Sequence, residues 1–359
     1  MARRMTRPGP QAAEERYQFF GGKGGAGKTT CAAAGAASFA LAGQSVLLVS
    51  LDPAHSLGDA FDRRLGPRVT RITTSKGRLD AVELDADAAL ARWIESRRPA
   101  LRRVLARGTY LDDDDIEELL RLSLPGVDEL IGLIELTRIA GRRRYDRVVV
   151  DAAPTGHLLR LLAMPDSLAR LADVLDAMHA KHRFLAEALA GAYRPDTGDR
   201  LIADVHSHAE RLSRLLRDTA RCQVSWVLLP EAMTLAEARD GVDALRADGI
   251  AVSDLVVNRV SDPRSPDCGT CSRRIAYERA MLDRTRRAFP DVPLRLVPAL
   301  ADEPRGMATL RRIGRRLASA SSTLPSQFVA ARRTARPSGR TPAPATGDRS
   351  WLDALAPPG

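Results

Sequence analysis

The sequence predicts an α/β protein with a mostly parallel, doubly wound sheet and an inserted helical subdomain. Short β-branched segments alternate with long amphipathic ones, as in repeated crossover units. Several of the short segments are apolar at nearly every position, which is typical of parallel strands with both faces covered. The 359 residues exceed one ordinary domain of ~150 residues, but an open α/β sheet with insertions reaches this size.

Seven segments have the composition of strands. The clearest six are residues 17–20, 46–49, 147–150, 224–229, 255–257 and 294–297, and a weaker one is 79–84. The Ala-rich segment 29–42 predicts a helix after the first strand, and its small side chains allow close packing on the sheet. Gly43 is expected to end this helix as a left-handed cap.

Two long segments, 85–140 and 166–221, have helical patterns without intervening strands. We expect them to form one helical subdomain beside the sheet. The domain that contains both spans residues 17–320. Residues 1–16 form a basic tail and residues 321–359 a Pro- and Arg-rich tail, and both are expected to be disordered because they lack apolar periodicity.

The charge balance and hydropathy argue against two classes of protein. The formal net charge is +10, but half of this excess lies in the two tails, and many of the arginines alternate with acidic residues on helical faces. We therefore expect solvated helix surfaces and no nucleic-acid site. No apolar run approaches the roughly 18 residues of a membrane span. The start of the chain also lacks the apolar core of a secretory signal, so we expect a cytoplasmic protein with no direct membrane span.

Lysine is rare in this chain, since only four of its 55 basic residues are lysines. Two of the four, Lys23 and Lys28, lie within six residues of each other. The compact ammonium group of lysine differs from a guanidinium in shape and hydration. The two lysines therefore indicate a task that arginine does not perform.

A glycine-rich motif follows the first strand. Residues 22–29 read GKGGAGKT and fit the phosphate-loop pattern, GxxxxGK followed by Ser or Thr. The glycines let backbone N–H groups turn toward a phosphate, Lys28 adds a charge at the terminal phosphates, and Thr29 coordinates Mg²⁺. The predicted sheet is therefore that of a P-loop NTPase. The residues assigned to the nucleotide are Gly21, Gly22, Lys23, Gly24, Gly25, Ala26, Gly27, Lys28, Thr29 and Thr30.

Two aspartates follow the carboxyl ends of apolar strands, where open α/β sheets bind ligands. Asp151 comes directly after residues 148–150 and is the natural carboxylate for Mg²⁺. Asp52 follows the second strand and is left to orient or deprotonate the attacking water. A lone aspartate at such a place is often a helix cap, but two beside a phosphate loop indicate catalysis.

Cys268 and Cys271 are the two cysteines that lie close in sequence. Four cysteines are too few for a disulfide scaffold in a chain of this length, so we interpret the pair as metal or redox chemistry. Structural zinc takes four ligands and a CxxC pair supplies two, so a zinc site here requires two chains. Four thiolates also hold an iron–sulfur cluster, and a redox-active dithiol is the third interpretation.

Longer stretches of the chain resemble the deviant Walker A P-loop ATPases of the ArsA family, which comprises arsenite-pump ATPases and tail-anchored-protein targeting ATPases. The resemblance covers most of residues 17–317. The motifs that carry it are GGKGGAGKTT at 21–30, DPAHSLGDAF at 52–61, PGVDELIGLIEL at 125–136, DAAPTGHLLRLL at 151–162, LVVNRV at 255–260, CGTC at 268–271 and PALADEPRG at 298–306.

The resemblance implies an ATPase that takes ATP and Mg²⁺ and acts as a homodimer. It implies that Lys23 reaches phosphate in the opposite subunit, as an arginine finger does in trans. Asp52 would assist the attack of water, while Asn258 and the loop at Pro298 would frame the adenine. Hydrolysis would then depend on closure of the dimer.

Two further implications concern the dimer and its switches. In the targeting ATPases, the pair that corresponds to Cys268 and Cys271 supplies half of an intersubunit zinc site, which would staple a symmetric homodimer. The family usually has Thr where Ala152 stands in this chain. By the resemblance, residues 151–162 form the second of the family's two nucleotide-sensing switch segments. Ala152 has no hydroxyl to donate a hydrogen bond to this segment, so we expect nucleotide gating to differ.

Three functions are compatible with these motifs. In the first, a nucleotide-gated homodimer binds or delivers a hydrophobic protein client, although only Met164 and Met178 supply methionine in the expected client helices. In the second, the ATPase drives an arsenite efflux pump through a membrane partner protein, yet residues 85–221 contain no cysteine and the chain has one ATPase half. In the third, it is an iron–sulfur carrier or a partition-type ATPase.

Overall fold

The computed structural model describes residues 15–318 except for 53–55, 73, 109–111, 122–126, 153, 191–193 and 262–267. Apart from Glu15 and Arg16, the two tails expected at 1–16 and 321–359 lie outside the described residues. Arg16 is the first residue of a strand and therefore belongs to the fold.

Eight strands of the described chain form one sheet in the order β3-β4-β2-β5-β1-β6-β7-β8. They are β1 (Arg16–Gly22), β2 (Ser45–Ser50), β3 (Thr70–Ile72), β4 (Arg78–Glu83), β5 (Arg147–Asp151), β6 (Cys222–Leu228), β7 (Val252–Val260) and β8 (Leu294–Pro298). All neighbouring pairs are parallel except β3 and β4. The predicted α/β fold with a mostly parallel sheet is confirmed. β3 was not predicted, because three residues are too few to show an alternating pattern.

Helices cover the sheet and form a separate cluster beside it. They are α1 (Lys28–Leu41), α2 (Leu57–Phe61), α3 (Ala86–Gly108), α4 (Asp113–Arg121), α5 (Val127–Arg143), α6 (Thr155–Ala190), α7 (Thr197–Arg217), α8 (Ala232–Ala247), α9 (Gly269–Ala288) and α10 (Gly306–Ala318). In the cluster, α3 packs against α5, α6 and α7, and α6 packs along α7. No helix in the described part of the chain is both long enough and apolar enough to cross a membrane.

The long helix α6 begins at Thr155, before the start expected at residue 166, and continues through Pro165. A proline inside a helix removes one backbone hydrogen bond and need not end the helix when packing holds both sides. Leu161, before the proline, and Ala172, after it, are buried and supply that packing.

The strand register brings the carboxyl ends of three strands together. Phe20 of β1 and Ser50 of β2 both pair with Asp151 of β5. On the other side of β1, Gly22 pairs with Val227 of β6. The loop after Gly22 therefore starts at the sheet edge where Asp151 ends its strand, and this is the edge at which parallel α/β sheets bind ligands.

The Ala-rich helix α1 packs on the sheet behind this edge. Its buried alanines lie against Phe20 and Leu48 of the strands and against α10. Gly314 of α10 permits the close approach of the two helices, because a Cβ at this position would lie 2.6 Å from the carbonyl oxygen of Ala34. Gly43 follows α1 with a φ of 98°, so the predicted left-handed helix end is confirmed.

Candidate functional site

The phosphate loop connects the end of β1 to the start of α1. Gly22, Gly25 and Gly27 have φ values of 133°, 77° and 92°, in the left-handed region that favours glycine. Gly27 is the N-cap of α1, and no described side chain caps that helix. The N–H groups of the first turn are therefore left for an anion, which the helix dipole also favours.

A cavity of about 730 Å³ opens at this loop. Of the residues that the sequence assigned to nucleotide and catalysis, those lining it are Gly24, Gly25, Gly27, Lys28, Thr29, Thr30, Asp52, Asn258 and Pro298. Residues 299–305, after β8, form its opposite wall. Gly21, Gly22, Ala26, Lys23 and Asp151 are not among the lining residues. The structure thus gathers most of the predicted site around one cavity.

Lys28 is the buried cation of this cavity, with 5% of its surface exposed. Burial lowers the pKa of its ammonium group, and the carboxylates of Asp151 and Asp52 oppose that change. Its Nζ donates a hydrogen bond to the carbonyl oxygen of Lys23 at 3.4 Å. The ammonium group is thereby held at the phosphate loop.

Asp151 is fully buried at the end of β5. Burial raises the pKa of its carboxyl group to about 7. Its Oδ2 accepts a hydrogen bond from the Ser50 hydroxyl at 3.3 Å, whereas Oδ1 has no hydrogen-bond partner among the described residues. A buried carboxylate oxygen without a partner fits Mg²⁺, which prefers oxygen ligands, and Thr29 offers a hydroxyl beside it.

Ser50 links the two aspartates, and the sequence analysis did not identify it. Its buried hydroxyl donates to Asp151 and accepts a hydrogen bond from the backbone N–H of Asp52 at 3.3 Å. The available signal was a small polar residue at the end of an apolar strand, two positions before Asp52. Its contact with Asp151 depends on the pairing of β2 with β5.

Lys23 does not face the cavity of its own chain. Its Nζ lies 2.9 Å from the sulfur of Met233 and 3.8 Å from a carboxylate oxygen of Glu237, and 37% of the side chain is exposed. Both partners lie on α8, one turn apart. The hydroxyl of Thr155, at the start of α6, donates to the same Glu237 at 2.8 Å. Sequence analysis missed Glu237 and Thr155 as partners of this lysine.

Asn258 connects the end of β7 to the phosphate loop. Its Nδ2 donates to the carbonyl oxygen of Ala26 at 2.8 Å, and its Oδ1 accepts from the N–H of Arg259 at 2.9 Å. A Cβ at Gly27 would overlap the Asn258 amide. Pro298 ends β8 beside it. The expected adenine-side residues are therefore at the cavity wall, and Asn258 also braces the loop.

The two cysteines of the CxxC motif lie at the start of α9. The Sγ of Cys268 accepts a hydrogen bond from the N–H of Cys271 at 3.4 Å. This bond lowers the pKa of Cys268, and the neighbouring thiol raises that of Cys271. Within the described chain, no group of three or more His, Cys, Asp or Glu residues is placed to hold a metal ion. One chain therefore offers two of the four ligands that structural zinc requires.

A phosphate loop, a buried carboxylate and a parallel sheet with its ligand cavity at the carboxyl edge define the class of P-loop nucleoside triphosphatases. The family model described as anion-transporting ATPase matches residues 15–319. This chain belongs to the anion-transporting ATPase family, and it is an ATP-hydrolysing enzyme. The family resemblance of the motifs is thereby confirmed.

Similar proteins occur in distant organisms. Protein Rv2184c of Mycobacterium tuberculosis is 36% identical, over 83% of this chain and 74% of its own. ATPase GET3B of Arabidopsis thaliana is 31% identical, over 84% of this chain and 78% of its own. ATPase ASNA1 homolog 1 of Paramecium tetraurelia is 28% identical, over 83% of this chain and 90% of its own.

Proposed function

We propose that this ATPase acts as a nucleotide-gated homodimer that binds or delivers a hydrophobic client. The position of Lys23 supports the proposal most directly. This lysine belongs to the phosphate loop, yet its Nζ contacts Met233 and Glu237 of α8 and does not line the cavity of its own chain. A partly exposed ammonium group at the rim of the loop is accessible to the phosphates of a second subunit.

On closure of the proposed dimer, Lys23 would leave Glu237 of its own chain and contact the nucleotide bound to the other subunit. In a single chain, Glu237 accepts from Thr155 and lies within ion-pair distance of Lys23. An exposed pair of this kind contributes little to stability, typically below about 1 kcal/mol. The stronger charge of a nucleotide triphosphate can therefore draw Lys23 away from Glu237 at small cost.

In the site itself, we assign the phosphates to Lys28 and to the N–H groups of the loop. Asp52 lines the cavity and orients the water that attacks the γ-phosphate in line. Thr29 and Asp151 would hold Mg²⁺, and the ion would supply positive charge during phosphoryl transfer. Lys28 and Lys23 of the partner subunit balance the charge that develops during attack.

A mixture of two inactive variants tests the cross-subunit role of Lys23. Dimers of Lys23→Ala lack the ammonium group that comes from the partner, and dimers of Lys28→Ala lack the one that comes from the loop itself. In a mixed dimer, one site has both groups and the other has neither. We expect each mixed dimer to recover up to half of the wild-type phosphate release.

The matched control is a mixture of Lys23→Ala with the double variant Lys23→Ala/Lys28→Ala, in which no dimer contains a complete site. Phosphate release that stays at the level of this control would contradict the role in trans. Wild-type turnover per chain that does not depend on protein concentration would also contradict it.

The helical cluster supports an apolar client more than a thiol-bound metalloid. Residues 85–221 contain no cysteine. Two of the large exposed apolar side chains of the described chain, Val174 and Phe184, lie on α6. Single exposed apolar side chains are ordinary on a protein surface. The proposal of an apolar client therefore rests on the family resemblance and the missing cysteines, and these two side chains mark where a helical client would contact α6.

A peptide with one uninterrupted apolar helix of about 20 residues, the length of a membrane span, is a suitable probe of client binding. We expect fluorescence anisotropy to show binding that changes severalfold when ATP and Mg²⁺ are added to the Asp52→Asn variant. A control peptide of equal length carries four lysines on the apolar face and should not bind. Equal binding with and without nucleotide would contradict gating.

A further inference from the structure

A second large cavity lies at the amino ends of the parallel strands, whereas the ATP site lies at their carboxyl ends. Its volume is about 830 Å³, within the range of small-molecule sites. Tyr17, near the start of β1, and Arg221, just before β6, belong to its wall, whereas the phosphate loop follows Gly22 at the far end of β1. The length of β1 separates the two cavities by roughly 20 Å, at ~3.3 Å per residue.

This cavity has an apolar floor where the helical cluster meets the sheet. Trp93 of α3, Ile131 and Ile134 of α5, and Leu212 and Leu215 of α7 contribute to it. Four separate elements therefore surround one space: the three helices and the sheet edge. A ligand that fills it can bury apolar surface, which stabilises binding by roughly 25 cal/mol per Å² of buried apolar area.

The rim of the cavity is cationic. Six arginines and three acidic residues line it. The arginines are Arg92, Arg97, Arg138, Arg211, Arg214 and Arg221. We call this space the arginine-rimmed cavity. The excess of three positive charges lies on one concave surface, which strengthens the attraction of an anion.

Three of the rim arginines have no carboxylate partner within ion-pair distance among the described residues. They are Arg92, Arg97 and Arg211. By contrast, Arg138 donates to Glu135 at 2.6 Å and the Arg214 guanidinium lies 3.7 Å from Glu210. The guanidinium of Arg97 instead stacks on Trp93, 4.7 Å from the ring centroid. Arg97 also donates one hydrogen bond, from Nη1 to the Ser96 hydroxyl at 3.0 Å. None of the three guanidinium groups is neutralised by a carboxylate within ion-pair distance among the described residues, so each can attract a carboxylate or phosphate.

The charge of the two tails, as the sequence gives it, does not match that of an anionic occupant. Residues 1–14 carry three arginines and one glutamate, and residues 319–359 carry five arginines and two aspartates. Both segments are cationic, so their charge opposes insertion between the rim arginines. The occupant that fits the charge and the apolar floor is a separate molecule.

We infer that the arginine-rimmed cavity binds a small amphiphilic anion, a carboxylate or phosphate monoester with an apolar body. The apolar part lies on the floor around Trp93, and the anionic head lies among Arg92, Arg97 and Arg211. Its lining shares no residue with that of the ATP cavity and includes neither Val174 nor Phe184 of α6.

Calorimetry on the nucleotide-free full-length protein tests this site with octyl phosphate. We expect one molecule to bind per chain, and inorganic phosphate and octanol each to bind at least about tenfold more weakly, because each lacks one half of the recognition. The triple variant Arg92→Gln/Arg97→Gln/Arg211→Gln should weaken binding at least about tenfold. Exposed arginines outside the cavity, changed together as Arg200→Gln/Arg239→Gln/Arg311→Gln, form the matched control and should leave the affinity unchanged.

A second variant separates loss of the site from loss of the fold. Ser96 is exposed at the rim, so Ser96→Trp should occlude the cavity while ATP turnover persists. The proposal is overturned if octanol binds as well as octyl phosphate, if the two triple variants bind alike, or if several molecules bind per chain. Binding only to phosphatidylglycerol vesicles, without binding of octyl phosphate, would identify a membrane surface and also overturn it.

Discussion

At the scale of single residues, the two aspartates of the ATP site differ in their surroundings. Asp151 is fully buried and shares a hydrogen bond with Ser50, whereas Asp52 lines the open cavity. A buried carboxylate suits a metal ion, and a cavity-lining one suits a water molecule. The structure therefore supports the division of roles that the strand ends predict.

The Asp52→Asn variant should lose turnover and keep nucleotide. We expect kcat to fall by roughly 10² to 10⁴, the range for a positioned base, because the amide cannot accept a proton from water. The affinity for ATP should change by less than about threefold, since the phosphate-loop contacts remain. Asp302→Asn, an isosteric change at the outer wall of the same cavity, is the control and should retain wild-type turnover. Comparable kcat in the two variants would refute the role of Asp52.

Ser50→Ala should weaken the response to Mg²⁺. The change removes two hydrogen bonds, each worth about 1 kcal/mol, from the segment that holds Asp52 and Asp151. We expect the Mg²⁺ concentration at half-maximal turnover to rise by about tenfold. Ser45→Ala, at the other end of β2, is the control because the buried Ser45 hydroxyl has no hydrogen-bond partner among the described residues. A Mg²⁺ response that is the same in both variants would contradict this assignment.

The sequence predicts the residues of the site whose roles depend on local chemistry. Lys28 and Thr29 follow from the spacing of the phosphate loop, and the two strand-end aspartates follow from the fold class. Ser50 and Glu237 were missed, because each acts through a partner far along the chain. Only the pairing of β2 with β5, and the packing of α8 beside the loop, bring those partners together.

At the scale of elements, a glycine couples the phosphate loop to α6. A Cβ at Gly21 would overlap the Cδ2 atom of Leu158, and the next nearest side chain is that of Trp226 on β6, at 3.8 Å. The end of β1 is thus in contact with the first turn of the helix that follows Asp151. Any displacement of this turn is transmitted to the loop through packed side chains, which have little room to deform.

Gly21→Ala should lower stability and turnover together. Overpacking of a buried site costs typically 1–3 kcal/mol, so we expect a lower melting temperature by thermal unfolding. Adding Leu158→Ala makes space for the new methyl group and should recover part of the loss. Gly24→Ala, where a Cβ meets no atom within 4 Å, is the control for stability. An unchanged melting temperature in Gly21→Ala would contradict the coupling.

The β3–β4 edge contains an ionic cluster that no sequence pattern predicts, with a buried aspartate and partly exposed arginines. Asp80 is 1% exposed and accepts hydrogen bonds from Arg71 at 2.5 Å, Arg78 at 2.5 Å and Tyr145 at 2.7 Å. Burial raises the pKa of Asp80, but the bonds from Arg78, Tyr145 and Arg71 outweigh burial and hold it below its ordinary value. The charged form therefore stabilises the fold.

Asp80→Asn should lower the free energy of unfolding by about 1–2 kcal/mol at neutral pH, because the charge-assisted hydrogen bonds are weakened while the arginine partners stay partly solvated. A lowered folded-state pKa stabilises the protein above the ordinary pKa of ~3.9, and this contribution is lost as pH falls through the folded value. The difference from wild type in urea unfolding should thus shrink below about pH 4. Asp291→Asn, an exposed control, should show little difference at either pH.

At the scale of the whole molecule, the CxxC motif raises the question of whether the thiol pairs of two chains share one metal ion in the proposed dimer. One chain offers two thiols at the start of α9, so four-ligand zinc requires a second copy. We expect elemental analysis to give about one zinc per two chains, and sedimentation to show weaker dimers for Cys268→Ser/Cys271→Ser. Cys222→Ala, at a buried cysteine, should retain zinc.

Other outcomes would reject the shared zinc site. Iron with visible absorbance would indicate a cluster, and a stable dimer without metal would indicate that other surfaces join the chains. The sequence predicts the thiol pair but not what it binds, because the further ligands that would complete a metal site are not part of the motif. In the same way, the composition of the helical cluster does not specify the client that we propose.

The contact of Glu237 with both Lys23 and Thr155 has a consequence for a lone subunit in the cell. In a single subunit, the ammonium group of Lys23 stays beside Glu237 and the first turn of α6, outside the ATP cavity of its own chain. Because the proposed mechanism requires Lys23 of a partner subunit, we expect single subunits to hydrolyse little ATP. Under the proposed dimer mechanism, ATP hydrolysis in the cell should therefore increase with the abundance of the protein.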